Sequence, residues 1–439
     1  MNSTNITNTI GMATKEKEQI VVIGGGFAGL NFVKKIDKSK YDVLLIDKHN
    51  FHSFPPLFYQ IASSGLDASN ISFPFRREFR KQRAKGVHFN LGKVTNINFN
   101  EKTVTTDLET VHYDKLVIAA GATNNFFGNE ELKDKVYTIK STPQSIRCRN
   151  DILDLLEQAS ICKDREKKRK LLNFVVVGGG PTGVEIAGAI GEMKRYIIKR
   201  EYPTIDPDDV NITLIEGMDR VLNTMSEESS VRAKKYLHDL LVDVRTGLIM
   251  KEYKDGKVYL SDGSELDASL VIWTAGIIAE TFECEGSQLP TQRGRRIHVN
   301  ECNEVDGLTD VYALGDICIM NTDPNFPNGH PQLAQPALQQ AANLAKNLNQ
   351  GTRRPFLYND KGSMATVGRN RAVVELKKYK FGGFLAWLTW MFIHLITILG
   401  MRNKLSVLID WLWAYFTYNT SLRILVHPSK FPKTSHSYD

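Results

Sequence analysis

The chain has 439 residues, 42% of them hydrophobic and 24% charged, with 5 cysteines and a net charge of +7. This is the composition of a globular protein and the length of two or three domains, which excludes a wholly disordered chain. The charge is mild, and no groove-reading motif accompanies its two local clusters, Arg76 to Lys85 and Lys163 to Lys170. These read as solvated faces, and no nucleic-acid partner is expected. Cys148, Cys162, Cys284, Cys302 and Cys318 form no C-x-x-C pair. That argues against a redox disulfide, a disulfide scaffold and a zinc site; no metal is expected, and the pattern fits a reducing compartment.

Residues 1–18 are polar and end in Lys15-Glu16-Lys17-Glu18, without an apolar h-region. They read as a disordered tail and not as a secretory signal. The first strong element follows. Ile20-Val21-Val22-Ile23 breaks into Gly24-Gly25-Gly26-Phe27-Ala28-Gly29 and then turns helical. In this G-x-G-x-x-G pattern the first glycine permits a tight turn, the second lets backbone approach a pyrophosphate, and the third lets helix and strand pack closely. The helix then faces the phosphates with its positive dipole end. Tyr41 to Ile46 reads as the next strand, and Asp47 at its end lies 23 residues beyond Gly24, near the interval of about 20 at which an acid holds a ribose. Lys115 to Thr123 reads as a buried strand ending in a small-residue turn around Ala122, which a cofactor can approach closely.

The pattern then repeats. Phe174-Val175-Val176-Val177 runs into Gly178-Gly179-Gly180-Pro181-Thr182-Gly183. Glu216 ends the candidate strand Val210 to Ile215, 38 residues after Gly178; a charged helical segment, Met193 to Glu201, and a Pro/Asp-rich turn supply the extra length. At a ribose, Glu216 favours NADH, because a 2′-phosphate meets a like charge. Leu270 to Trp273, with Thr274-Ala275-Gly276, again closes on a small-residue turn. A third strand-like patch, Asp310 to Asp316, suggests that the chain re-enters the first domain, with the Asp316 carboxylate beside Gly315 placed to accept a hydrogen bond from a flavin ribityl hydroxyl. Two fingerprints imply two dinucleotides side by side, a donor and a relay, so a flavin- and nicotinamide-dependent oxidoreductase is expected. The fold class is α/β: two Rossmann-like domains, for FAD and NADH, plus a C-terminal helical membrane-anchoring region. The expected divisions are 19–135 and 299–351 for the FAD domain, 136–298 for an inserted NADH domain, and 352–439 for the anchor.

Three further features carry chemistry. Glu185, on the helix after Gly183, can relay a proton if partly buried; a first-turn glutamate favoured by the helix dipole is the plainer alternative. Gln335 and Gln339 form an i, i+4 pair on one helix face. Their amides suit a quinone carbonyl, which only accepts hydrogen bonds; a solvated surface pair is the alternative. Gly382 to Met401 is 20 residues without a formally charged side chain, long enough at about 1.5 Å per residue to cross a bilayer core. Arg402-Asn403-Lys404 reads as a turn before a second apolar segment, Leu405 to Tyr418, with Asp410 in it. A spanning hairpin, a buried helix pair and an in-plane anchor all fit this pattern; Asp410 counts against the first. Lys377, Lys378, Lys380, Arg402 and Lys404 would favour anionic headgroups.

Several stretches together resemble a known family: Val22 to Leu30, Asp47-Lys48-His49-Asn50-Phe51-His52, Pro56-Leu57-Phe58-Tyr59-Gln60, Gly180 to Glu185, Trp273 to Ile277 and, most specifically, Ala334-Gln335-Pro336-Ala337-Leu338-Gln339, which fits the quinone-site pattern A-Q-x-A-x-Q. The chain resembles the type II NADH dehydrogenases, single-chain non-proton-pumping NADH:quinone oxidoreductases of the two-dinucleotide-binding-domain flavoproteins, from about Gln19 to about Leu425. The resemblance implies an FAD site with Gly24, Gly25, Gly26, Phe27, Ala28, Gly29, Asp47, Lys48, Val94, Ala122, Gly315, Asp316, Ala334 and Gln335. It implies an NADH site with Gly178, Gly180, Thr182, Gly183, Glu216, Ala275 and Gly276, a quinone site at Gln335 and Gln339, and Glu185 as the catalytic glutamate. It further implies a membrane quinone and a lipid surface as partners, a homodimer, and monotopic attachment to the cytoplasmic face of the inner membrane. A soluble NAD(P)H reductase for another acceptor, and a membrane flavoprotein of the apoptosis-factor kind acting mainly by binding partners, are the alternatives.

Overall fold

The computed structural model describes residues 17–417 and 422–425. Two parallel sheets dominate it. The first has the strand order Val311–Ala313, Lys115–Ile118, Glu18–Ile23, Tyr41–Asp47, Val87–Leu91, with every pairing parallel. Ile20, Val21 and Val22 are fully buried, because the strand is covered on both faces, as a parallel sheet requires. The helices Phe27–Lys35 and Ala334–Gln350 pack together on one face. The second sheet runs Asp243–Thr246, Asn211–Glu216, Asn173–Val177, Leu270–Trp273, again all parallel. It lies on the stretch of chain between Lys115–Ile118 and Val311–Ala313, which are neighbours in the first sheet. The antiparallel pair Ala122–Asn124 and Ile277–Ala279 joins the outgoing and returning strands.

Local boundaries depart from the sequence reading in three places. Lys17 and Glu18, expected in the tail, are held: Lys17 Nζ donates to Lys38 O at 2.9 Å, and Glu18 opens the first strand opposite Tyr41. Residues 1–16 of that tail lie outside the described residues. The strand expected from Val210 starts at Asn211. Met193 to Glu201 continues the Pro181–Glu192 helix, first through a wider π turn at Met193–Ile198, where Lys194 Nζ reaches Val210 O at 2.8 Å.

The C-terminal region is not simply helical. It begins as a three-stranded antiparallel sheet, Ser363–Thr366, Ala372–Leu376 and Tyr379–Gly382, whose Ala372, Val373 and Val374 are fully buried. This sheet lies on the Pro181–Glu192 helix. A Cβ at Gly188 would stand 3.1 Å from Gly368 N, so the bare glycine admits the hairpin.

The uncharged run Gly382 to Met401 does not form one helix. Its helix, Phe384–Thr397, has 14 residues, about 21 Å at 1.5 Å per residue, short of a hydrocarbon core of about 30 Å. Ile398 is extended and Gly400 takes φ +74°, so the chain turns there. Arg402-Asn403-Lys404, expected as the turn, opens the second helix, Met401–Thr417. Among the described residues no helix is long and apolar enough to cross a membrane, which removes the spanning hairpin for that part of the chain. A fully buried pair is also excluded. Ala386, Trp390, Val407 and Trp411 face inward, whereas Leu385, Leu388, Phe392 and Ile396, and Leu405, Ile409, Leu412 and Phe416, form exposed stripes at helical spacing. Asp410 faces the protein: Asn70 Nδ2 donates to its carboxylate at 2.6 Å.

Candidate functional site

Both glycine fingerprints sit where a parallel strand ends and a helix begins, and they are built alike. Gly24 has φ +96° and Gly178 φ +109°; a Cβ on either would fall within 3 Å of the adjacent strand-end backbone, at Ala119 and Ala275. A Cβ on Gly29 would stand 1.9 Å from Gly24 O, and one on Gly183 1.8 Å from Gly178 O, so these glycines let helix and strand touch. Between them, Gly26 and Gly180 have nothing within 4 Å of that position. Each is the N-cap of its helix, with no side-chain cap and no acid in the first turn. The result is two open, bare cradles with N–H groups presented to an anion, which fits the pyrophosphate of a dinucleotide. Phe27, Ala28 and Thr182 lie in the first turns of these helices.

The two strand-end acids make matching contacts. Gly25 N donates to Asp47 Oδ2 at 2.6 Å and His49 N to Oδ1 at 2.7 Å. Gly179 N donates to Glu216 Oε2 at 2.5 Å and Met218 N to Oε1 at 2.8 Å. Each carboxylate thus stands beside its own cradle. Burial pushes the Asp47 carboxyl up to about 6, although its two N–H bonds pull the other way. His52 Nδ1 lies 2.8 Å from Gly25 O and must donate to it; burial brings its pKa down to about 4, so the ring is neutral. Lys48 is exposed next to Asp47, Val94 opens the Val94–Asn98 strand, and Ala122 opens the strand that joins the sheets. Ala275 and Gly276 flank the second cradle; Gly276 has φ +82°, and Phe127 occupies the place of a Cβ.

Asp316 lies between the first sheet and the Ala334–Gln350 helix. Burial raises its carboxyl pKa, opposed by the positive charges of Lys140 and Arg296. Its neighbour Gly315 has φ +80°, and Gly315 N donates to Gln340 Oε1 at 2.7 Å. Gln340 was missed in the sequence; its position next to Gln339 was the available signal. Ala334 opens the same helix. Gln335 and Gln339 do share a face, and both are engaged. Gln335 Nε2 donates to Gly362 O at 3.0 Å and its Oε1 accepts from Lys361 N at 3.2 Å; Gln339 Nε2 donates to Asn359 O at 3.0 Å and its Oε1 accepts from Asn359 N at 3.1 Å. The pair fastens the segment 358–362, which continues into Ser363–Thr366.

That strand reaches Glu185. The residue is 7% exposed, and its carboxyl accepts from Thr366 N at 3.4 Å. Burial pushes its pKa up to about 8, with Thr366 N–H and the Trp390 indole pulling it partly back. A first-turn solvated glutamate does not describe it. Nearby, Gln60 Nε2 donates to Tyr59 Oη at 3.0 Å, and Trp411 Nε1 donates to Gln60 Oε1 at 2.9 Å. A cavity of about 150 Å³ is lined by Tyr59, Gln60, Glu192, Arg369, Trp390 and Trp411; Glu185 lies behind its wall, next to the lining residue Thr366. No single segment of sequence carries this cluster, which assembles from five: the stretches around Tyr59, Glu185, Thr366, Trp390 and Trp411.

Residues 18–341 match the pyridine nucleotide-disulphide oxidoreductase family, and residues 361–417 match the NDH2 C-terminal domain. The type II NADH:quinone oxidoreductase Ndh of Mycobacterium tuberculosis is 32% identical over 436 residues, 95% of this chain and 92% of that protein. The chain belongs to the type II NADH dehydrogenases. An internal alternative NAD(P)H-ubiquinone oxidoreductase A1 of Arabidopsis thaliana, a mitochondrial protein, is 30% identical over 91% of this chain and 84% of its own length. The structure of NDH2 from Plasmodium falciparum in complex with NADH shares the fold, with a TM-score of 0.86 at 22% identity over 94% of this chain and 100% of that one. As a type II NADH dehydrogenase the chain is a flavoprotein that carries FAD and takes NADH. Its five cysteines are all free, so the disulphide chemistry in the broader family's name has no pair to act through. Among the described residues no cluster of three or more His, Cys, Asp or Glu is placed to hold a metal ion.

Proposed function

We propose that this chain oxidises NADH and reduces a membrane quinone by two electrons without moving charge across the membrane: NADH + H⁺ + quinone → NAD⁺ + quinol. The two bare glycine cradles, each with its own carboxylate, carry the reading. The first cradle, Gly24 to Gly29, with Asp47, Lys48, Val94, Ala122, Gly315, Asp316, Ala334 and Gln335, holds FAD. The second, with Gly178, Gly180, Thr182, Gly183, Glu216, Ala275 and Gly276, holds NADH. This assigns 19–135 and 299–351 to the FAD domain and 136–298 to the NADH domain. FAD, when bound, supplies the hydride acceptor and the two-electron relay. Asp316 accepts a ribityl hydroxyl, and Glu216 selects against a 2′-phosphate. The quinone approaches along the segment that Gln335 and Gln339 fasten, toward Glu185, which handles its proton.

Attachment to lipid belongs to the same proposal. The two exposed apolar stripes of Phe384–Thr397 and Met401–Thr417 lie in the acyl boundary, with Lys377, Lys378, Lys380 and Arg402 exposed beside them. Exposed apolar residues at helical spacing on two successive helices suit an acyl boundary better than water, and they favour the quinone reading over a soluble NAD(P)H reductase or a partner-binding flavoprotein. Residues 352–439 thus serve as an in-plane anchor on the cytoplasmic face, and two chains pair as a homodimer. Anaerobic stopped-flow absorbance tests the reaction: flavin bleaching with NADH, then recovery with a short-chain quinone. Bleaching without recovery by any quinone would remove the acceptor assignment. The mass of the detergent-solubilised enzyme tests the dimer.

A further inference from the structure

Phe127 combines two features that cost a folded protein stability, and it does so beside the second cradle. A singly exposed phenylalanine is ordinary on a protein surface. This one is 68% exposed and also has φ +52°, a left-handed conformation that a bulky side chain rarely adopts and that persists only where surrounding contacts impose it. Asn125 imposes it. Its N–H donates to Gly276 O at 3.3 Å, its O accepts from Trp273 Nε1 at 3.0 Å, and its Oδ1 accepts from Phe127 N at 2.9 Å. The preceding ring, Phe126, is buried against Trp273, with 5.7 Å between centroids. Phe127 is thereby turned outward, and its ring lies over Gly276: a Cβ on that glycine would stand 2.7 Å from the ring's Cζ. Glycine at 276 leaves the space that the ring takes.

Strand order indicates which half of a dinucleotide this ring meets. The cradle at Gly178 ends the strand Asn173–Val177, which has Asn211–Glu216 on one side and Leu270–Trp273 on the other. Glu216, at the end of the first neighbour, takes the adenosine ribose. With the pyrophosphate on the cradle, the nicotinamide riboside crosses to the second neighbour, whose end carries Thr274, Ala275 and Gly276. From there the pair Ala122–Asn124 and Ile277–Ala279 leads back to the first sheet and its own cradle, and Phe127 follows that pair by three residues. We propose that the Phe127 ring covers the nicotinamide riboside of bound NADH, and that the strained turn around Asn125 holds it ready to do so. The aromatic face stacks on the planar pyridine ring or packs on its ribose. Binding then buries an apolar surface that the free protein leaves in water.

The proposal rests on the NADH reading, and the experiment separates the two. Full-length, FAD-loaded wild type, Phe127→Gly and Phe127→Tyr are compared by stopped-flow bleaching over a range of NADH concentrations, and by inhibition of that bleaching with ADP. ADP carries the adenosine and both phosphates but no nicotinamide riboside. Glycine accepts φ +52° without strain, so the urea midpoint of Phe127→Gly equals or exceeds that of wild type. The NADH concentration for half-maximal bleaching rises about tenfold, the size of a lost aromatic contact with its buried area. Inhibition by ADP and reoxidation of the flavin by quinone keep their wild-type values. Phe127→Tyr keeps the ring and stays close to wild type throughout. An unchanged half-saturating NADH concentration in Phe127→Gly would overturn the proposal. So would a parallel loss of ADP affinity, which would place the ring over the adenosine half, and so would a lower urea midpoint, which would make the ring part of the core. Failure of wild type itself to bleach with NADH would instead overturn the functional reading.

Discussion

Replacing Glu185 by Gln separates the cost of burying a carboxyl from its use. The residue is 7% exposed, and its polar partners are Thr366 N at 3.4 Å and the Trp390 indole. Burial therefore moves its pKa from 4.5 to about 8. Between those values the folded protein keeps a proton that the unfolded chain has released. The stabilisation from this tighter proton binding is fully present below about pH 4.5 and is lost as pH rises through about 8, where the carboxyl ionises in place. At about 1.4 kcal/mol per pH unit the interval corresponds to about 5 kcal/mol. Glutamine has nearly the shape of the neutral acid, keeps an acceptor for Thr366 N, and never ionises. The variant and wild type should match in stability near pH 5, and the variant should be more stable by several kcal/mol near pH 9. Urea unfolding of the FAD-loaded proteins in detergent, followed by tryptophan fluorescence across that range, measures the difference. The same variant should bleach normally with NADH and reoxidise about 10²-fold more slowly with quinone. Stability curves that run parallel from pH 5 to 9 would refute the burial argument, whatever the kinetics showed.

Asp316→Ala should lose flavin, read as absorbance per protein after gel filtration; full retention would dismiss the ribityl contact. Glu216→Gln should raise kcat/KM for NADPH relative to NADH, because the repelled 2′-phosphate then meets a neutral amide; an unchanged ratio means that Glu216 does not face the ribose. A bulky residue at Gln335 or Gln339 should spare bleaching by NADH and slow reoxidation by quinone, and equal loss in both half-reactions would point to displacement of the 358–362 segment instead. Exchanging Phe392, Trp413 and Phe416 for serine should release the enzyme from anionic vesicles in a sedimentation assay. Each of these rings is more than half exposed, and inserting an aromatic side chain is worth several kcal/mol at about 25 cal/mol per Å². Unchanged binding would dismiss the in-plane anchor.

Both glycine cradles could be read in the chain because their requirements are local. A buried β-branched strand, a tight turn, an open second glycine and a close-packed third are neighbours in sequence, and each acid ends the next parallel strand of its own unit. The positions of Asp47 and Glu216 beside Gly25 and Gly179 were legible for the same reason. Composition alone could not place Glu185. Its raised proton affinity comes from burial, which its contacts with Thr366 and Trp390 only partly offset, and those residues lie some 180 and 205 positions away. The partners of Gln335 and Gln339 were hidden likewise, since a periodic pair shows which face it shares and not what covers that face. The C-terminus marks the limit most clearly. An uncharged run of 20 residues has the length to cross a bilayer, but Gly400 at positive φ and the extended Ile398 stop its helix at 14, and Asn70 answers Asp410 from the body of the protein. Hydropathy along a chain records how apolar a segment is; only tertiary contacts decide which of its faces meets protein and which is left for lipid.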